Sequence, residues 1–166
     1  MQTNFFCLLT LLFLIFCSSC TTTIYLSRHA EKRNNTDTST LTEQGQNRAF
    51  ALRDTLLYKG IDTIFSSVYI RTQLTAQPLA SAIGKSIKTY HPDTSINLAR
   101  QLKRLNGKDV LITGHSDNIP IIIKELCGRD ILIGSTDFDN LYVIQIRKFF
   151  TTTYSFSQKT YGLPSP

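Results

Sequence analysis

The sequence predicts an α/β fold, a mostly parallel sheet with helices on both faces, and three observations predict it. Short apolar, β-branched runs alternate along the chain with stretches in which apolar residues recur every three or four positions. The central runs lack an apolar/polar alternation, as strands covered on both sides do. Glycine or Asn-Gly closes the helical stretches at Gly60, Gly84 and Asn106-Gly107. With 166 residues and 42% apolar composition there is material for one globular core.

Thr21 to Leu26 reads as a buried strand that delivers Arg28 and His29 at its end. The polar segment from Lys32 to Thr40 is loop. Thr42 caps a helix carrying Ala49, Leu52 and Leu56, which Gly60 ends. Ile61 to Phe65 forms a second strand running into Ser66 and Ser67, and a helix with Arg71, Leu74, Leu79 and Ile83 follows. Ser86 to Tyr90 is a short third strand, with His91-Pro92-Asp93 as the loop after it. A helix from about Thr94 to Leu105 rests on Ile96, Leu98 and Leu102. Val110 to Thr113 is the clearest central strand and leads directly into Gly114 and His115. Asn118 opens the next helix as its cap, with Pro120 tolerated in the first turn. Beyond Gly128 a loop to Asn140 precedes strands at Leu141 to Ile146 and Thr152 to Phe156.

The net charge of +6, from 18 Lys+Arg against 12 Asp+Glu, is scattered from Arg28 onward rather than gathered in one run. There is no basic stripe interleaved with aromatics, which argues against nucleic acid as a partner. A phosphate-bearing substrate would be drawn to such a surface.

Phe5 to Phe16 is apolar apart from Thr10, a run of about a dozen residues, against the ~20 that a membrane-spanning helix needs. It has the form of a secretory apolar segment. Cys17-Ser18-Ser19-Cys20 resembles a bacterial lipoprotein signal, in which the last cysteine is lipidated and becomes the new N-terminus. That resemblance implies a signal peptide over 1–19, lipidation at Cys20, and a domain over 20–166 in the bacterial cell envelope, anchored in the membrane or periplasmic. No Lys or Arg precedes the run, and Cys17 stands where an aliphatic residue is usual. An uncleaved anchor, or cleavage elsewhere, is the other reading. The first strand begins so close to Cys20 that an anchored domain would sit against the bilayer. With Cys20 lipidated, Cys127 has no disulfide partner and is expected to be buried and inert. No CxxC or HxxxH spacing points to a metal.

Two histidines stand directly after strands, His29 in Ser27-Arg28-His29-Ala30-Glu31 and His115 in Thr113-Gly114-His115-Ser116. In an α/β sheet, residues distant in sequence converge at the carboxyl ends of the strands. Phosphoryl transfer would use such a convergence, because its transition state asks chiefly for positioning and charge stabilisation around one nucleophile. A neutral imidazole can attack phosphorus near pH 7, and arginine grips phosphate oxygens in a planar, two-pronged fashion.

Arg28-His29-Ala30-Glu31-Lys32 resembles the Arg-His-Gly or Arg-His-Ala signature of the histidine phosphatase superfamily, the phosphoglycerate-mutase-like proteins. Leu41-Thr42-Glu43-Gln44-Gly45 with Arg48-Ala49, then Ser66-Ser67 with Arg71-Thr72 and Thr75-Ala76, then Gly114-His115-Ser116, are similar to the blocks that follow it in family order. The resemblance implies a three-layer α/β/α sandwich and a phosphatase that uses no metal and no cofactor. His29 would accept the phosphoryl group, Arg28 and Arg71 would bind it, and His115 would stabilise it in transfer. A phosphomutase of the same superfamily and a non-catalytic phosphate-binding protein are the alternatives. The interval between Arg71 and His115 is filled by the expected helices and strands, leaving no room for a lid domain. An open pocket is therefore expected, unless the loop from Arg129 to Asn140 overhangs it. The substrate would be a phosphorylated small molecule or a phosphoprotein. Three carboxylates are candidates for the proton donor to the leaving group: Asp93, otherwise a helix cap; Glu31, otherwise paired with Lys32 or Arg33 at the surface; and Asp117, otherwise a residue that helps open its helix.

Overall fold

The computed structural model describes residues 20–165. The predicted signal segment over 1–19 lies outside them. Six strands form one sheet: β1 (Cys20–Arg28), β2 (Ile61–Ser67), β3 (Ile87–Tyr90), β4 (Asp109–Gly114), β5 (Asn140–Lys148) and β6 (Thr152–Thr160). The α-helices among the described residues are α1 (Glu43–Leu56), α2 (Ile70–Ala82), α3 (Ser95–Lys103) and α4 (Asn118–Cys127). The sheet order is β3-β2-β4-β1-β5-β6, with β3, β2, β4 and β1 parallel to one another and β5 antiparallel to both β1 and β6.

Successive side chains on a strand point to opposite faces, so each central strand feeds two cores. Ile24, Leu26, Val110, Ile112, Tyr142 and Ile144 pack under α3 and α4, against Leu98, Leu102, Ile119, Ile122 and Ile123. Leu111, Ile64 and Leu141 face the other way, onto Leu52 and Leu56 of α1 and Ala76 and Leu79 of α2. The result is the expected three-layer sandwich. Each fully buried leucine or isoleucine here is worth about 1.5–3 kcal/mol relative to exposure.

Local chemistry fixes the ends. Thr42 accepts at Oγ1 from the amide of Gly45, the expected cap of α1. Gly45 itself is required by packing. A Cβ there would lie 2.3 Å from the Glu31 carbonyl oxygen, so only glycine lets α1 start against the strand end that carries His29. Gly114 is the second such position, where a Cβ would fall within 2.8 Å of Asn118 Oδ1, Ile119 Cδ1 and the Tyr90 hydroxyl.

Several expectations change. Pro92–Thr94 is a short 3₁₀ turn rather than open loop, and Thr94, not Asp93, is the cap position of α3. Ile96 and Leu74 obey the helical period yet stand exposed. Asn118 is the first residue of α4 instead of its cap, because its Oδ1 is occupied by the His115 amide. The last strand extends to Thr160 rather than ending near Phe156. Its side chains are mostly exposed at the sheet edge, so the apolar pattern that marks strands in sequence is absent there. Cys127 is half-buried, its thiol donates to the Ile123 carbonyl, and burial pushes its pKa up, which leaves it a weak nucleophile. No helix among the described residues is long and apolar enough to cross a membrane.

Candidate active site

β1 and β4 are parallel neighbours, with Arg28 registered opposite Gly114, so the residues that follow them emerge side by side. The His29 amide donates to the Gly114 carbonyl at 2.8 Å, extending the ladder by one bond. That contact sets the two imidazoles against each other, ring centroids 5.3 Å apart and edge to face. Both are buried, His29 3% and His115 8% exposed.

The hydrogen bonds fix each tautomer. His29 Nδ1 lies 2.7 Å from the Ala30 carbonyl oxygen, which can only accept, so Nδ1 carries the proton and Nε2 keeps its lone pair. His115 Nε2 lies 2.7 Å from Ser67 Oγ, and Ser67 Oγ lies 2.7 Å from Thr72 Oγ1. Thr72 gives its one proton to a carbonyl, Tyr69 at 2.7 Å, so Ser67 donates to Thr72 and accepts from His115. Nε2 of His115 is therefore the protonated nitrogen. Burial is the main cause that holds both rings neutral, His29 down to about 3 and His115 to about 4, and the positive charges of Arg28 and Arg71 push in the same direction.

Arg28 and Arg71 are 7% and 9% exposed. Arg28 Nη1 donates to the carbonyls of Gly134, Ser135 and Asp137 at 2.7, 2.9 and 3.3 Å, and its guanidinium sits 4.2 Å from the centre of the Phe138 ring. Arg71 Nη1 donates to the Thr36 carbonyl, and its guanidinium lies 4.5 Å from the Tyr69 ring centre. In both side chains Nε is buried without a hydrogen-bond partner. Burying a charged donor unsatisfied is costly. The Nε edge of each guanidinium is thus the part free for an anion. Lys32 adds a third cation, its ammonium pushed toward neutrality by burial and by Arg71 and Arg28.

Two loops roof this end of the sheet. The segment after α4 lays three carbonyls and Phe138 on Arg28, and the Phe138 ring also lies tilted against His29, centroids 5.9 Å apart. The segment between Lys32 and Leu41, closed by a bridge between those two residues, brings Thr36 to Arg71. No domain is inserted between Arg71 and His115, and the loop from Arg129 to Asn140 lies over Arg28, the overhang the sequence left open.

The three carboxylates separate clearly. Glu31 is buried and takes Arg48 in a forked pair, Nε to both carboxylate oxygens at 2.9 and 3.0 Å and Nη2 to Oε1 at 2.6 Å. Its partner is Arg48 in the interior, not Lys32 or Arg33 at the surface. Asp93 is exposed and faces His91 Nδ1 at 3.3 Å. Asp117 is exposed just after His115, and its charge pulls the pKa of both His115 and Arg28 upward.

Sequence reasoning gave no individual role at the site to Ser67, Thr75, Arg48 or Phe138, and read Asn118 only as a helix cap. Thr75 Oγ1 accepts from the Ala30 amide at 2.9 Å, and Asn118 Oδ1 accepts from the His115 amide at 2.7 Å, so each pins one histidine's backbone. The signal for Thr75 was present in the Thr75-Ala76 block, while Phe138 lies in a segment with no periodicity at all. Among the described residues no cluster of His, Cys, Asp and Glu is arranged to hold a metal ion.

Comparison with known proteins bears on this arrangement. No curated protein matches the chain. Among solved structures, the protein histidine phosphatase SixA complexed with tungstate is similar at 15% identity and a TM-score of 0.64, over 83% of this chain and 96% of that one. A mycobacterial glucosyl-3-phosphoglycerate phosphatase is similar at 14% identity and a TM-score of 0.63, over 82% and 97%. A phosphoserine phosphatase from Entamoeba histolytica, in complex with 3-phosphoglyceric acid, is similar at 16% identity and a TM-score of 0.56, over 81% and 96%. At these identities the likeness is one of fold. The family model of the histidine phosphatase superfamily (branch 1) matches residues 24–92, the span from β1 through β3 that holds Arg28, His29 and Arg71. Residues 24–92 thus carry the sequence pattern of that family, and the described domain shares the fold of these phosphatases.

Proposed function

We propose that the protein is a phosphatase that hydrolyses a phosphate ester or phosphoramidate through a phosphohistidine on His29. The observation that carries this reading is the tautomer of His29: Nδ1–H is held by the Ala30 carbonyl, so Nε2 presents a lone pair beside His115 and within the field of two arginines. The likeness in fold to a phosphatase complexed with tungstate, an oxyanion of phosphate's shape, supports it.

In this reading a phosphoryl group is gripped by the Nε edges of Arg28 and Arg71. His29 Nε2 attacks phosphorus, the bond from phosphorus to the leaving oxygen or nitrogen breaks, and the positive charge on the phosphorylated ring is shared with Ala30 through Nδ1–H. Because the dianion brings negative charge beside His115, it raises that imidazole's pKa and favours its protonated form, which offers a donor to the transferring oxygens. The leaving group takes a proton from Asp117, the carboxylate whose charge reaches both His115 and Arg28. Asp117 then accepts a proton from the water that cleaves the phosphorus–nitrogen bond, and inorganic phosphate departs. Glu31 is excluded from this role because both oxygens are committed to Arg48.

The test is turnover of phenyl phosphate by the protein and by His29→Ala. Release of phosphate that is lost in the variant, while the fold is kept, supports the proposal. Equal release by both sinks it, and phosphate binding with no release by either indicates a binding protein.

A further inference from the structure

The end of the sheet opposite the active site carries a feature that neither fold nor catalysis uses. The turn between β5 and β6 is Phe149-Phe150-Thr151, where Gly, Asn or Asp would be ordinary. Phe149 is 50% and Phe150 91% exposed. The two rings pack on each other, centroids 4.3 Å apart, instead of on either core. Tyr154, further along β6, is also exposed.

The surroundings are cationic. Lys148 Nζ donates to the Leu105 carbonyl at 2.7 Å, which brings the C-terminal end of α3, with exposed Arg104, alongside the turn. Arg147 is exposed next to it, and Lys108 follows on the loop whose amide bonds Thr22. The carboxylates at this end are occupied internally: Asp109 accepts from the Thr23 amide, and Asp62 accepts from the Asp109 amide and from Lys108.

The register supplies the remaining observation. Cys20, the first residue of β1, pairs with Lys148, so the described chain begins at the same end of the sheet as the Phe149-Phe150 turn. Paired aromatics and a basic rim therefore meet at the end of the molecule where β1 begins. Aromatic side chains favour the interface between water and lipid, and Lys and Arg favour anionic headgroups.

We infer that the β5–β6 turn is a membrane contact, with Phe149 and Phe150 inserted at the headgroup level of an anionic bilayer and Arg104, Arg147 and Lys148 resting on its surface. It is a second attachment, made by the folded domain and additional to whatever the N-terminal segment does. β1 runs its nine residues away from that surface before delivering Arg28, so the active site is held ~25–30 Å from the lipid and opens toward the aqueous side.

The chain contains no tryptophan, so one indole reports its own surroundings. The full chain bearing Phe150→Trp is reconstituted with vesicles of phosphatidylethanolamine and phosphatidylglycerol, and the full chain bearing Ile96→Trp, at the exposed start of α3 near the active-site end, serves as the reference. The expected result is blue-shifted emission for Phe150→Trp, with strong quenching by lipids brominated near the top of the acyl chain, and neither effect for Ile96→Trp. Arg147→Glu combined with Lys148→Glu should weaken the quenching several-fold, as should high salt. Unshifted, unquenched emission from Phe150→Trp on a vesicle-bound chain overturns the inference, and so does failure of the chain to bind vesicles. A blue shift without vesicles that grows with protein concentration also overturns it, since the turn would then be covered by a second copy of the chain.

Discussion

Ser67 Oγ sits 2.7 Å from Nε2 of His115 and passes its own proton to Thr72, so a buried serine at the end of β2 sets the tautomer of a histidine at the end of β4. Replacing it with alanine removes the acceptor for Nε2–H and lets the ring turn. For Ser67→Ala we expect kcat on phenyl phosphate to fall by up to about 100-fold, the scale on which small misplacements of a catalytic group act, with little change in KM. Steady-state kinetics at pH 7 check this, and an unchanged kcat would mean that the orientation of His115 is set elsewhere.

Phe138 bears on phosphate binding. Its ring lies against the Arg28 guanidinium, a contact worth about 0.5–2 kcal/mol when partly desolvated. Phe138→Ala should raise KM for phenyl phosphate about two- to tenfold while kcat stays within about twofold. A fall in kcat with KM constant would contradict a role in holding Arg28.

The Glu31–Arg48 pair is a stability element. Arg48 also donates from Nη1 to the carbonyls of Tyr161 and Leu163, tying the chain's last turn to the strand end that carries His29. Arg48→Ala leaves a buried carboxylate without its partner, and we expect a loss of about 3–5 kcal/mol in urea unfolding. Glu31→Gln keeps the shape and should retain kcat within a few-fold. A collapse of kcat in Glu31→Gln without loss of stability would make Glu31 the proton donor after all.

Acid sensitivity follows from the two imidazoles. Both fold with pKa values depressed below the usual 6.5, His29 to about 3 and His115 to about 4, so between those values and 6.5 the unfolded chain binds more protons than the folded one. Stability is therefore fully present above pH 6.5 and falls as pH drops toward 4. Between pH 7 and pH 5 we expect a loss on the order of 2–4 kcal/mol by urea titration, largely absent in His29→Asn/His115→Asn. An equally steep loss in the double variant would place the cause in other groups.

How much of this was legible in the sequence depends on how local each signal is. The strand ends bearing Arg28, His29 and His115 could be read because apolar runs point straight at them. Thr42 could be read as a cap because capping involves only the next three residues. The Glu31–Arg48 pair was misread as a surface contact, since its partner lies a full loop and helix turn away and burial depends on packing. Asn118 looked like a cap for the same reason a cap looks like one, a short polar side chain before an apolar helix, while its actual partner is the His115 amide. The overhang of the loop from Arg129 to Asn140 could be named from the sequence but not its contacts, because backbone carbonyls, which any sequence supplies, do most of the holding.

The central claim is that His29 carries the phosphoryl group. Incubation with phenyl phosphate, a rapid alkaline quench that preserves phosphohistidine, and peptide mapping by mass spectrometry should find a single modified residue, His29, with Asp117→Asn increasing its amount if release to water is slowed. Phosphate found on His115, or rapid turnover with no modified histidine at any quench time, would contradict it.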